Sequence, residues 1–315
     1  MQKPGIRLGR IKDNPPSLPS PAGARRARLL GKDMQLIDFF DRGAMLWPDR
    51  RCLVDETGAR SYRDVESASH AIAASLLDTC GSGGFRAAVF SPNNAPALEA
   101  VLGILRAGGT WLPANARGTP NELCAFLLRH ECRVLFFHSS FAADVSAFRA
   151  HLPDVRAFVC LDRDVEDAPS MLAWSAGRNG RVYLPNISRD DVAVIKPTGG
   201  TTGEPKSVMQ THGNFAAMTA NFLSCMTFSE PPVHLVAAPM TYGAGTICFP
   251  LMAVGATHVL MARADPGEIL RAIAQHHVNV PFLPPTVIYM MLAHAELKQH
   301  DLWWSNLKRH NDRFF

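Results

Sequence analysis

One stretch of this chain decides its fold and its chemistry: Pro197-Thr198-Gly199-Gly200-Thr201-Thr202-Gly203-Glu204-Pro205-Lys206-Ser207. Glycine adopts backbone conformations that other residues avoid, and consecutive backbone N–H groups in a glycine-rich loop form a concavity that binds anions. The threonine hydroxyls add hydrogen-bond donors, and Lys206 adds a compact positive charge that suits a phosphate group. The composition of this stretch therefore predicts a loop that binds a polyphosphate.

The residues on either side of the loop predict strands. An apolar, β-branched run at 192–196 leads into the loop, and a similar run at 208–212 leads out of it. The obvious alternative is a P-loop of the form G-x-x-x-x-G-K-[ST], but Pro205 stands where that pattern needs glycine and has no N–H to donate. A P-loop lysine also opens a helix, whereas strand-forming residues follow Lys206. The sequence thus favours a strand–loop–strand unit and excludes the P-loop.

The same residues resemble the phosphate-binding signature of the AMP-forming adenylating enzymes, the superfamily of acyl-CoA synthetases, luciferases and peptide-synthetase adenylation domains. That signature is T-S-G-T-T-G-x-P-K-G, and Thr198 to Ser207 give T-G-G-T-T-G-E-P-K-S. Gly199 replaces the serine, which removes one hydroxyl donor. Ser207 replaces the final glycine, which requires a negative φ at that position.

The resemblance implies an ATP-dependent acid–thiol ligase. Such an enzyme converts a carboxylic acid, here most simply a fatty acid, to an acyl-adenylate with release of pyrophosphate, and coenzyme A then takes the acyl group. Mg²⁺ would bridge the phosphates. Lys206 would be the catalytic cation, and the β- and γ-phosphates would be held by Thr198, Gly199, Gly200, Thr201, Thr202, Gly203 and Lys206.

Three further segments extend the resemblance. Leu105 to Asn115 is similar to the family's L-K-A-G-x-x-x-x-P-x-N/D turn, which is scaffold. Pro239 to Gly245 resembles P-x-x-H-x-x-G, with a tyrosine where histidine is usual, and residues 282–292 resemble the V-P-T-x-x-x-x-L helix. The implied acyl pocket consists of Tyr242, Gly243, Gly245, Pro285 and Thr286. Two plainer interpretations stay open. In one, Tyr242 is a buried tyrosine at a helix start. In the other, the methionine-rich stripe of residues 282–292 is ordinary core.

The bulk composition narrows the function further. The chain has 315 residues, 47% of them hydrophobic, and a net charge of +4, but residues 1–33 hold eight basic and only two acidic side chains. The rest is slightly acidic, so the sequence predicts no nucleic-acid partner. Seven dispersed cysteines without a C-x-x-C pair indicate free thiols, and no H-x-x-x-H pair occurs, so no metal site is predicted. No apolar run reaches membrane-spanning length, and a cytoplasmic location is expected.

Strand-like and helix-like runs alternate, which predicts an α/β fold of layered, mostly parallel sheets flanked by helices. The expected organisation is a disordered, basic, proline-rich leader (1–33), a partial AMP-binding domain (34–301) and an aberrant tail (302–315). The family pattern stops after Asp301, so the chain resembles a truncated N-terminal domain. The alternative function is therefore an inactive fragment that serves at most as a partial nucleotide-binding or interaction module.

Overall fold

The computed structural model describes residues 34–82, 84–182, 187–198 and 206–299. The ten α-helices of this part of the chain are α1 (Leu36–Leu46), α2 (Tyr62–Cys80), α3 (Ala95–Arg106), α4 (Pro120–Arg129), α5 (Ala142–Phe148), α6 (Met171–Trp174), α7 (His212–Cys225), α8 (Gly243–Met252), α9 (Pro266–His276) and α10 (Pro285–Leu292). Short 3₁₀ helices lie at Ser139–Phe141, Arg149–His151 and Ala295–Gln299. The predicted leader and tail lie outside the described residues.

The strands form two sheets. The first has the order β6-β5-β3-β4-β7-β8, and the second has the order β11-β9-β10-β1-β2. Their bounds are β1 (Arg51–Asp55), β2 (Gly58–Ser61), β3 (Arg86–Phe90), β4 (Thr110–Ala114), β5 (Cys132–Phe137), β6 (Ala157–Cys160), β7 (Val192–Pro197), β8 (Ser207–Thr211), β9 (Val233–Val236), β10 (Thr257–Leu260) and β11 (Val280–Phe282).

Parallel pairing dominates both sheets, which confirms the predicted α/β class. The exceptions are two antiparallel pairs at the edges, β1 with β2 and β7 with β8. The β7–β8 pair is the strand–loop–strand unit that the glycine-rich stretch predicted. Strand β2 was missed because Gly58-Ala-Arg-Ser61 is half exposed and lacks the apolar alternation that marks a strand.

Side-chain caps set the starts of the helices that surround the hairpin. Thr211 accepts a hydrogen bond from the backbone N–H of Asn214 (3.1 Å), so α7 begins at His212, the last residue of the run at 208–212 that the sequence predicted as a strand. Thr119 and Glu122 form a reciprocal capping box at the start of α4. Helix α4, which lines the cavity described below, is therefore fixed at its first turn.

The largest buried apolar cluster contains residues from both sheets, among them Leu53 of β1, Ala87 of β3 and Val236 of β9. Helix α1 lies against α8 and connects to α7 through a hydrogen bond from the Leu36 N–H to His212 Nδ1 (2.9 Å). The two sheets thus share this cluster, and each sheet also packs on a smaller cluster of its own. No helix in the described part of the chain combines the length and the apolar character needed to cross a membrane.

Candidate nucleotide and acyl site

The β7–β8 hairpin remains closed up to both ends of the glycine-rich loop. Pairing runs from Val192 with Thr211 to Pro197 with Ser207. Beyond it, the backbone N–H and the Oγ1 hydroxyl of Thr198 both donate to the Lys206 carbonyl, each at 2.9 Å. Thr198 and Lys206 therefore face each other at the hairpin end, and both are exposed. The predicted phosphate ligands Gly199, Gly200, Thr201, Thr202 and Gly203 lie outside the described residues.

Ser207, the second departure from the family signature, opens strand β8. Positive φ at non-glycine residues is confined, within the described ranges, to Glu131, Asp167 and His277, so Ser207 meets the condition that its replacement of glycine imposed. Its hydroxyl lies 2.8 Å from His130 Nε2 at the end of α4. Burial lowers the pKa of His130, and the nearby Arg86 and Arg129 lower it further. The contact therefore joins a neutral ring to the hairpin.

A cavity of ≈ 220 Å³ lies beside the loop end of the hairpin. Pro197, Thr198 and Ser207 form its hairpin side, α4 contributes Phe126 and Arg129, and Tyr242 contributes an aromatic ring. The cavity lining therefore combines charged side chains, Arg129 and Glu122, with apolar surface, and Lys206 lies next to it, opposite Thr198 at the hairpin end. A larger cavity of ≈ 400 Å³ beside β1 and the end of α9 contains none of the predicted site residues.

Close packing surrounds both predicted acyl-pocket glycines, and it requires glycine at Gly245, which faces backbone atoms. A Cβ atom on Gly245 would lie 2.1 Å from the Met240 carbonyl oxygen, and one on Gly243 would lie 2.8 Å from the Phe282 ring. Tyr242 immediately precedes α8 and is 45% exposed, so it lies at a helix start without being buried. Gly245 lets the chain fold back tightly onto Met240, and Tyr242 lines the cavity.

Pro285 and Thr286 lie apart from this cavity. Both are exposed at the start of α10, and neither lines the cavity beside Tyr242. The apolar stripe of α10 is divided: Val287 and Met291 are buried, and the larger exposed side chains are Ile288, Tyr289, Met290 and Leu292. One face of the helix is therefore core, and the other is apolar surface within the described part of the chain.

Lys196 is a charged residue of this region that the sequence did not single out. It lies on β7, two residues before Thr198, and its Nζ donates to Thr246 Oγ1 of α8 at 2.5 Å. The ammonium lies 5.9 Å from the Phe215 ring centroid, and burial lowers its pKa to about 8. Its position in an apolar strand gave no sign of this, because its burial depends on how α7 and α8 pack on the strand.

A protein-family model described as "AMP-binding enzyme" matches residues 40–309. The chain belongs to this family. Among curated proteins it is 29% identical over 273 residues to a feruloyl-CoA synthase of an Amycolatopsis species, covering 83% of this chain and 52% of that protein. It is 30% identical over 273 residues to the 3-[(3aS,4S,7aS)-7a-methyl-1,5-dioxo-octahydro-1H-inden-4-yl]propanoyl:CoA ligase of Mycobacterium tuberculosis, covering 83% and 54%. The AMP-binding chain thus spans about half the length of the curated relatives it matches.

Solved structures agree on the fold. The N-terminal domain of FACL13 from Mycobacterium tuberculosis superimposes with a TM-score of 0.78 at 20% identity, covering 85% of this chain and 67% of that one. At this identity the likeness establishes the fold alone. The predicted family and fold, an α/β domain of the AMP-forming acyl-CoA synthetases, are both confirmed.

Proposed function

We propose that the chain binds MgATP at the Thr198–Lys206 hairpin and forms an acyl-adenylate from a carboxylic acid, with coenzyme A as the acceptor of the acyl group. The observation that carries this proposal is the closed hairpin in an AMP-binding family member: it brings Thr198 and Lys206 together beside a cavity that reaches Tyr242. The names of the relatives, which are CoA ligases for aromatic or polycyclic acids, support the reaction class.

In the first half of this reaction a carboxylate oxygen attacks the α-phosphorus of ATP, and the bond between that phosphorus and the bridging oxygen of pyrophosphate breaks. Negative charge accumulates on the departing pyrophosphate. Lys206 would offset this charge, and the loop N–H groups with the hydroxyls of Thr201 and Thr202 would donate to the β- and γ-phosphate oxygens, while Thr198 closes the hairpin against the Lys206 carbonyl. In the second half, the thiolate of coenzyme A attacks the acyl carbonyl carbon and AMP departs.

Magnesium fits this site as part of the substrate. Mg²⁺ is usually held by phosphates together with one or two carboxylates. At the described part of the hairpin the side chains are neutral or cationic, and Glu122 on the cavity wall is already engaged in the α4 capping box. We therefore expect the ion to enter bound to the ATP phosphates, where it would neutralise charge without a dedicated protein cage.

The acid would lie between the hairpin and the start of α8. Tyr242 would contact its apolar body, and its hydroxyl can form hydrogen bonds but, unlike the histidine usual at this position, cannot carry positive charge near neutral pH. Pro285 and Thr286 remain candidates for the far end of a longer acyl chain, although they do not line the present cavity. Both aromatic and fatty acids are compatible with this arrangement.

The test is exchange of radiolabelled pyrophosphate into ATP by the purified chain, with a panel of cinnamate-type, medium-chain and long-chain acids. Acid-dependent exchange that falls about a hundredfold in Lys206→Ala supports the proposal, because loss of a charge that stabilises the transition state has that effect. Lys298→Ala, which removes another exposed lysine, serves as the matched control. MgATP binding without exchange for any acid would instead favour the alternative of a partial nucleotide-binding module.

A further inference from the structure

A cluster of three buried side chains lies away from the hairpin, in the second sheet. His234 of β9, His258 of β10 and Cys248 of α8 place one nitrogen or sulfur atom each within 4.8 Å of the others. The Nδ1 atoms of the two histidines are 3.0 Å apart, and Cys248 Sγ lies 4.0 Å from His234 Nδ1. Both histidine side chains and the cysteine are fully buried.

The fold holds the three side chains on rigid elements. Strands β9 and β10 pair in parallel with His234 directly opposite His258, so both imidazoles project from the same face of the sheet. Helix α8 connects these two strands and packs on β9, which brings Cys248 over the pair. No spacing rule in the sequence could reveal the cluster, because each residue comes from a different element.

The histidine pair alone leaves polar atoms without partners. In the hydrogen bond between the two Nδ1 atoms, one ring carries the proton and the other accepts it. In two neutral rings, the donating ring then has an unprotonated Nε2, which is an acceptor, and the accepting ring has a protonated Nε2, which is a donor. Neither Nε2 atom has a hydrogen-bond partner among the described residues. Each such atom costs about 1–3 kcal/mol whether or not an ion is bound, and the single Nδ1–Nδ1 hydrogen bond of the pair offsets little of that cost.

We propose that His234, Cys248 and His258 bind one thiophilic metal ion, Cu⁺ or Zn²⁺, through the two Nδ1 atoms and the thiolate. On binding, the thiol proton leaves the site, and the ring that carried its proton on Nδ1 carries it on Nε2 instead. The ion replaces the single Nδ1–Nδ1 hydrogen bond with three coordinate bonds. It thereby ties β9, β10 and α8 together and has a structural role.

The separations are close to those that coordination requires. Ligand bonds of about 2.0 Å to nitrogen and 2.3 Å to sulfur place the donor atoms roughly 3.3–3.8 Å apart around one ion. The observed 3.0 Å and 4.0 Å lie within a fraction of an ångström of that range, and Cys248 Sγ lies within 4.8 Å of the His258 donor atom, so rotation of the Cys248 side chain toward the two rings closes the site. Burial lowers the pKa values of His234 and His258 and keeps both rings neutral, but it also raises the pKa of the Cys248 thiol to about 12, so this thiol loses its proton only in exchange for the ion.

The donor set favours copper over zinc. Structural zinc sites almost always have four protein ligands, whereas two histidines and one cysteine in a trigonal arrangement are typical of copper. The described residues bring only three donor atoms into the cluster. Hard ions such as Mg²⁺ and Ca²⁺ prefer oxygen ligands and are not expected here.

The test measures bound metal in the untagged full chain, purified directly and also refolded separately with Cu⁺ and with Zn²⁺. We expect one ion per chain that survives desalting, and Co²⁺-loaded protein should show a thiolate-to-cobalt charge-transfer band. Cys248→Ala should reduce the bound metal by at least about tenfold. Cys132→Ala is the matched control, because Cys132 is an equally buried thiol on β5, outside the cluster, and this variant should keep the ion.

A competition experiment distinguishes the two ions: the chain is refolded with equimolar Cu⁺ and Zn²⁺, and the metal that it retains is measured. The proposal is overturned if the wild-type chain, as purified and after refolding, retains neither ion. A cobalt spectrum without the thiolate band, or equal metal content in Cys248→Ala and Cys132→Ala, would overturn it too. The wild-type measurements decide the question even if Cys248→Ala does not fold. The outcome is independent of nucleotide binding at the hairpin.

Discussion

At the scale of single residues, Lys196 carries a charge that the fold does not compensate. Its ammonium forms a hydrogen bond with a neutral hydroxyl and lies near an aromatic ring, and no carboxylate pairs with it within the described part of the chain. Burial is the sole cause of its lowered pKa of about 8. The pKa of this lysine is lower in the folded chain than in the unfolded chain. At any pH below the unfolded-state pKa, burial of the charge therefore reduces the free energy of unfolding.

We therefore expect Lys196→Met to stabilise the chain at pH 7, by about 1–3 kcal/mol of unfolding free energy. The difference in unfolding free energy between Lys196→Met and wild type should shrink as pH rises from about 8 to about 10.5, because over this range the folded protein holds Lys196 in its neutral form and no longer buries a charge. Urea unfolding at several pH values measures this, with the exposed Lys298→Met as control. Equal stabilities of wild type and Lys196→Met at pH 7 would contradict the account.

At the scale of secondary structure elements, the alternation of strand-like and helix-like runs predicted the α/β class, and the runs at 192–196 and 208–212 predicted strands β7 and β8. Alternating apolar residues and glycine or proline boundaries carry that information locally. It failed at strand β2, which pairs with β1 although its half-exposed residues lack apolar alternation, and at the start of α7, where Thr211 caps a helix inside a strand-like run. The hairpin itself was predictable, since its residues favour strands on both sides of a glycine-rich turn.

The start of α8 gives the element-scale prediction. Gly245→Ala would place a methyl group 2.1 Å from the Met240 carbonyl oxygen, so the strand end and the helix must move apart. We expect a loss of about 2–4 kcal/mol in unfolding free energy and a disturbed Tyr242 environment. Gly180→Ala, whose added methyl group would meet nothing within 4 Å, should change stability by less than about 0.5 kcal/mol. Thermal denaturation compares them, and similar losses in both would refute this explanation.

At the scale of the whole molecule, a buried ion pair holds three helices around the shared core. Arg106 of α3 contacts Asp41 of α1 at 2.5 Å and Ser69 of α2 at 2.9 Å, and both charged side chains are almost inaccessible to solvent. The order of strands in the two sheets could not be predicted, because alternating β and α patterns fit many crossover arrangements. For the same reason, the sequence could not predict that Arg106 and Asp41 form an ion pair.

Removal of one partner of this pair should destabilise the whole domain. Asp41→Ala leaves the buried Arg106 guanidinium without its carboxylate, and we expect a loss of about 3–5 kcal/mol in unfolding free energy. Asp49→Ala breaks the exposed pair with Arg63 and should cost less than about 1 kcal/mol. Chemical denaturation of both variants provides the comparison. A cost for Asp41→Ala no larger than that for Asp49→Ala would show that the buried pair does not organise the fold.

The central claim is that the Thr198–Lys206 hairpin is the ATP phosphate site, and calorimetric titration of the full chain with MgATP tests it most directly. Wild type and Lys298→Ala should bind MgATP with equal affinity. Lys206→Ala should bind at least about tenfold more weakly, a loss of about 1.4 kcal/mol or more, because it removes a cation beside the phosphates. Absence of binding in the wild type, or equal affinity in Lys206→Ala, would contradict the claim.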